Sequence, residues 1–104
     1  MDQFRQGDVL LIRVSHTKVD KKKRIKARNG KLILAEGEAT GHHHSIPSSA
    51  GKMYALATGM ALMIQRATTL THQEHSAIDL PPGEYFVTTQ RQMNTDQMLV
   101  PVRD

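Results

Sequence analysis

Cysteine and tryptophan are absent from this chain, and aromatic residues of all kinds make up only 4% of it. Without cysteine there is no disulfide framework, no thiolate metal site and no cysteine nucleophile, so any metal must be held by histidine, carboxylate or carbonyl groups. With so few aromatics the core must be filled by Val, Ile, Leu, Met and Ala. At 104 residues that implies one thin core and one domain over residues 1–104. A core this small is compatible with self-association into a homo-oligomer, since a small domain buries little surface alone. No stretch approaches the roughly 18 apolar residues of a membrane helix, and Met1 to Asp8 lacks the basic and apolar regions of a secretory leader. The expectation is a cytoplasmic protein with no membrane contact. Ser48 and Ser49 lack a strand–turn–helix setting for a serine nucleophile.

Positive charge is present but uneven. Lys18, Lys21, Lys22, Lys23, Arg24, Lys26 and Arg28 supply half of the 14 basic residues within a short segment, and the remainder of the chain is slightly acidic. Two readings of this block stand side by side: a solvated loop, or a surface that attracts phosphates. It contains no aromatic residue on which a base could stack, so phosphate attraction is the most it offers.

The elements are those of a β protein. Val9 to Val14 follows the turn signal Gly7-Asp8, and Lys31 to Ala35 follows Asn29-Gly30, a dipeptide suited to tight hairpin turns. Residues 16–29 between them read as a long, mobile basic loop. His42 to Ile46 is a short strand between glycines and Pro47-Ser48-Ser49, and Met53 to Ala57 and Met60 to Gln65 form a hairpin about Thr58-Gly59, although their composition also suits a helix. Leu70 to Leu80 reads as one extended segment, with Leu70, His72, Glu74, Ile78 and Leu80 on one face. Pro81-Pro82-Gly83-Glu84 predicts a hairpin into Tyr85 to Thr89, and Met98 to Val102 predicts an edge strand limited by Pro101. Seven or eight short strands make an all-β fold, a small barrel or sandwich.

The chemistry concentrates in His42-His43-His44 and His72-Gln73-Glu74-His75. On a strand His42 and His44 share a face and His43 takes the other. If the two segments are neighbours, His42, His44, His72 and Glu74 form a donor set for Zn, Mn, Fe or Ni, with His75 beside them. The same residues suit metal-free acid–base chemistry, because imidazoles titrate near neutrality. A structural or solvated role for the histidines is the third reading. The three-His, one-Glu inventory resembles the metal site of cupins, but there the carboxylate follows the H-x-H pair, whereas Glu74 shares a segment with His72.

Three stretches carry a closer resemblance: Arg5-Gln6-Gly7-Asp8-Val9-Leu10; Leu34-Ala35-Glu36-Gly37-Glu38-Ala39-Thr40-Gly41-His42-x-His44; and Leu70-x-His72-x-Glu74-His75-x-x-Ile78-x-Leu80-Pro81-Pro82-Gly83-x-Tyr85-x-Val87-x-x-Gln90. Together they resemble a family of short, uncharacterised bacterial and phage-encoded proteins. That resemblance implies attention to the five histidine-site residues and no activity.

The leading expectation is a hydrolase acting on a phosphodiester or nucleotide. His42, His44, His72, Glu74 and His75 would be its catalytic residues, with or without a divalent metal on His42, His44, His72 and Glu74. Lys21, Lys22, Lys23, Arg24, Lys26 and Arg28 would bind the substrate. The alternative is a non-enzymatic oligomeric module that binds nucleic acid or a protein.

Overall fold

The computed structural model describes residues 3–37 and 41–89. Among these residues nine strands follow one another: β1 (Gln3–Gln6), β2 (Val9–Val14), β3 (Lys31–Glu36), β4 (His43–Pro47), β5 (Gly51–Leu56), β6 (Gly59–Ile64), β7 (Thr68–Leu70), β8 (Ile78–Leu80) and β9 (Gly83–Thr89). The described residues contain no α-helix, only 3-10 turns at Lys21–Lys23 and Ser48–Ala50. One antiparallel sheet has the order β1-β2-β9-β6-β5. The pairs β3-β4 and β7-β8 are joined through reciprocal backbone bonds between Ser45 and Thr71, 3.0 Å each, and make a second layer. The described strands do not close into a barrel, and the architecture is sandwich-like.

Alternation explains the packing. Val9, Leu11, Met53, Leu62, Ile64, Tyr85 and Val87 project from one face of the large sheet onto Leu32, Leu34, Ile46, Leu70 and Leu80 of the second layer. Each such aliphatic side chain contributes about 1.5–3 kcal/mol when fully buried. Tyr85, wholly buried, is the largest of them, and its hydroxyl donates to the Pro81 carbonyl at 2.7 Å.

Several expectations hold. The β5–β6 hairpin forms, and Asn29 and Gly30 take φ of 51° and 75°, as a turn with two left-handed residues requires. Other expectations need correction. Leu70 to Leu80 is not one strand: β7 and β8 pair with each other, and the residues between them leave the sheet as a loop. The cause is local, because the His72 side chain accepts from backbone amides two and three residues on, an alternative to the ladder. Pro81-Pro82-Gly83 is a corner between layers, since β8 pairs with β7 while β9 pairs with β2 and β6. Arg13 holds that corner by donating to the Pro82 carbonyl. β1 was not expected; it pairs with β2 across Gly7, whose φ is +58°. The basic loop is not loose throughout: the Ile25 N–H donates to the Met53 carbonyl at 2.8 Å, and Arg24 bridges to Tyr54. The strand expected at Met98 to Val102 lies outside the described residues.

Candidate functional site

Three pieces of chain meet at one end of the second layer. The start of β4 brings His42 and His44, the β7–β8 loop brings His72, Glu74 and His75, and the β1–β2 turn brings Gln6, Gly7 and Asp8. The Ser45–Thr71 bonds dock the loop beside β4, and the His43 N–H donates to Gln73 Oε1 at 2.8 Å. Ring centroids lie 5.6 Å apart for His42 and His72, 4.3 Å for His44 and His72, 4.6 Å for His72 and His75, and 5.8 Å for His44 and His75. Glu74 Oε2 is 3.7 Å from His42 Nδ1, with the carboxylate side chain largely exposed. The structure therefore gathers all five expected catalytic residues.

Hydrogen bonds fix which nitrogens carry protons. Gln6 is 2% exposed, and its Nε2 donates to the carbonyls of Leu70 at 3.0 Å and Ser76 at 2.9 Å. That orientation leaves Gln6 Oε1 as an acceptor, so His44 Nδ1, 2.8 Å away, must be the donor. His44 Nε2 then presents its lone pair, 3.8 Å from Asp8 Oδ1. His72 has the opposite tautomer: its Nδ1 accepts from the Glu74 N–H at 3.0 Å and the His75 N–H at 3.4 Å, leaving the proton on Nε2.

Electrostatics keep this pair neutral. Burial, reinforced by His72, lowers the pKa of His44 to about 4, with Asp8 pulling the other way. Desolvation, then the neighbouring His75 and His42, lowers that of His72. The site thus sets two neutral imidazoles beside two carboxylates.

The residues sequence reading missed as part of the site are Gln6, Gly7 and Asp8, which entered only as the Gly7-Asp8 turn signal and as members of the first resemblance motif. A Cβ on Gly7 would lie 2.7 Å from His75 Nε2 and 3.2 Å from His44 Cε1, so the glycine lets the imidazoles lie directly on the backbone. Their signal was proximity in the primary motif: a turn glycine flanked by two polar residues, just before a buried strand.

The chain of residues that meets here is also the chain of a family. The family described as Domain of unknown function (DUF8820) matches residues 5–90, a span containing every residue of the cluster. The chain belongs to this family. No curated protein and no solved structure matches it.

The expected substrate-binding residues are placed elsewhere. Lys21 to Lys26 run along β5, at the opposite edge of the large sheet from β1, and Arg28 is ion-paired with Glu36. Among the described residues no group of three or more His, Asp or Glu side chains is arranged around a common metal position. Within the expected set of His42, His44, His72 and Glu74, His72 is the misfit, since its Nδ1 is engaged and its Nε2 is protonated. No helix among the described residues is long and apolar enough to cross a membrane.

Proposed function

We propose that the imidazole cluster is a hydrolytic centre for a phosphoester or nucleotide, with His44 and Asp8 holding a divalent cation. One observation carries the reading: His44 Nε2, left without a proton by the Nδ1–Gln6 bond, lies 3.8 Å from the Asp8 carboxylate. A cation between two such acceptors would turn their mutual repulsion into attraction. His44, with its pKa of about 4, does not supply a proton at neutral pH. A Zn, Mn, Fe or Ni ion bonds such donors at about 2.1 Å each, and Gln6 supplies the outer hydrogen bond that metal-bound imidazoles use. Low proton affinity also removes the competitor that a metal must displace.

The other residues have separable roles in this reading. Held by His44 and Asp8, a cation would offset the Asp8 charge, which otherwise repels an anionic phosphoester, and would supply Lewis-acid polarisation of the phosphoryl oxygen. His72 Nε2–H donates to oxygen on which negative charge develops, as a neutral imidazole can. Glu74, beside His42, accepts a proton from the attacking water. A second, metal-free reading is favoured by the complementary tautomers of His44 and His72, one offering a lone pair and the other a proton, 4.3 Å apart ring to ring.

Untagged protein tests both with an activated phosphodiester, bis(4-nitrophenyl) phosphate, before and after chelation. The expected result is stoichiometric metal and hydrolysis, both lost in His44→Gln and Asp8→Asn. Hydrolysis that survives chelation selects the metal-free reading. A folded protein that neither takes up metal nor cleaves the diester overturns the hydrolytic proposal.

A further inference from the structure

The basic segment is held as a surface. Lys21, Lys22 and Lys23 occupy a 3-10 turn whose start is capped by Asp20, with Oδ1 accepting from the Lys22 N–H at 2.9 Å. Arg24 then bridges to Tyr54 on the edge strand β5, and the Ile25 N–H donates to Met53. Ile25 turns inward against the core, while Lys21, Lys22, Lys23, Arg24 and Lys26 stay exposed. Five cations within six positions repel one another, and a free loop would spread them. Here the backbone fixes them along one edge, which has an electrostatic cost that a polyanion would remove.

We propose that Lys21, Lys22, Lys23, Arg24 and Lys26 form a docking surface for the phosphate backbone of nucleic acid, separate from the imidazole cluster. The strand order β1-β2-β9-β6-β5 sets the β1–β2 turn of the cluster and the β5 edge that carries the basic segment on opposite sides of a sheet about 19 Å wide at about 4.8 Å per strand. The cluster is also at the His43 end of β4, whereas the basic segment enters β3 at Lys31, the partner of Pro47 at the other end. The ridge has no aromatic residue, so it tracks phosphates without reading bases. Its one large apolar residue, Ile25, faces the core, leaving nothing to insert into a lipid surface. The inference does not rest on the hydrolytic reading, and a single-site picture in which these lysines line the cluster is incompatible with it.

Fluorescence anisotropy with a labelled 20-base-pair DNA duplex, from 50 to 200 mM salt, tests it. Wild type should bind with a steep salt dependence, equally for unrelated sequences. The combined variant Lys21→Gln, Lys22→Gln, Lys23→Gln should lower the log–log salt slope by about 3, at about 0.9 per phosphate contact. Its thermal melting should match wild type, since Ile25 and the turn cap are retained. His44→Gln should bind DNA as wild type does, whatever it does to hydrolysis. No duplex binding at 50 mM salt, an unchanged slope in the triple variant, or binding to anionic phosphatidylserine vesicles without binding to DNA would each overturn the proposal.

Discussion

His44 couples the site to stability through its proton. Its folded pKa of about 4 lies below the 6.5 of an unfolded histidine, so the unfolded chain binds the proton more tightly between those values. This contribution to stability is complete above pH 6.5 and is lost as pH falls towards 4, amounting to about 3 kcal/mol at most. Urea unfolding of metal-free protein at pH 7 and 4.5 should show wild type losing about 2–3 kcal/mol more than His44→Gln. Equal losses would mean that His44 is not held neutral by the fold. Gln6 is the residue that orients it. Gln6→Met keeps the volume but strands the Leu70 and Ser76 carbonyls and the His44 N–H, at about 2–4 kcal/mol. Calorimetry measures that loss, and histidine nitrogen shifts should show His44 no longer fixed with its proton on Nδ1. Ser45 gives the opposite sign. Its buried hydroxyl has no partner, so Ser45→Ala should leave the melting temperature level or raise it.

Among the elements, the β1–β2 turn and the pinned basic segment are the sensitive ones. Gly7→Ala places a Cβ in left-handed backbone and against His75 Nε2, and should cost about 1–2 kcal/mol while displacing His75 from its stack on His44. A metal or substrate affinity that falls further than stability would mark the turn as part of the site. Ile25→Ser removes the apolar anchor while leaving the backbone bond to Met53 available. Limited trypsin digestion should then cut faster after Lys21 to Lys26, and unchanged cleavage would mean that the segment is not held by Ile25. The element that sequence periodicity misread is instructive here. Even-numbered apolar residues from Leu70 to Leu80 fit a strand, and the two ends are strands, but a histidine accepting from its own loop amides competes with extended pairing over the six residues His72 to Ala77.

For the molecule as a whole, local chemistry in the chain already determined a great deal. Alternating Val, Ile and Leu runs, the Asn29-Gly30 turn and the absence of cysteine and tryptophan specified an all-β domain with an aliphatic core, because these depend on residues close together in sequence. The same locality made the two histidine segments visible as candidates. Which strands would become neighbours was not local. β9 lies between β2 and β6, which is why Pro81-Pro82-Gly83 turns a corner between layers and does not close a hairpin. The long-range pairing of Ser45 with Thr71 brings the histidines of β4 to those of the β7–β8 loop. Gln6, Gly7 and Asp8 carry no mark of chemistry until that docking is made, and only then does the Gln6 amide decide which nitrogen of His44 is free. The basic block is the converse case: its charge was plain in the sequence, but its place at the far edge follows from Ile25 docking on β5, a contact between residues distant along the chain. Residue type and near-neighbour pattern fixed what the elements are, and packing between distant segments decided where their charges and lone pairs meet.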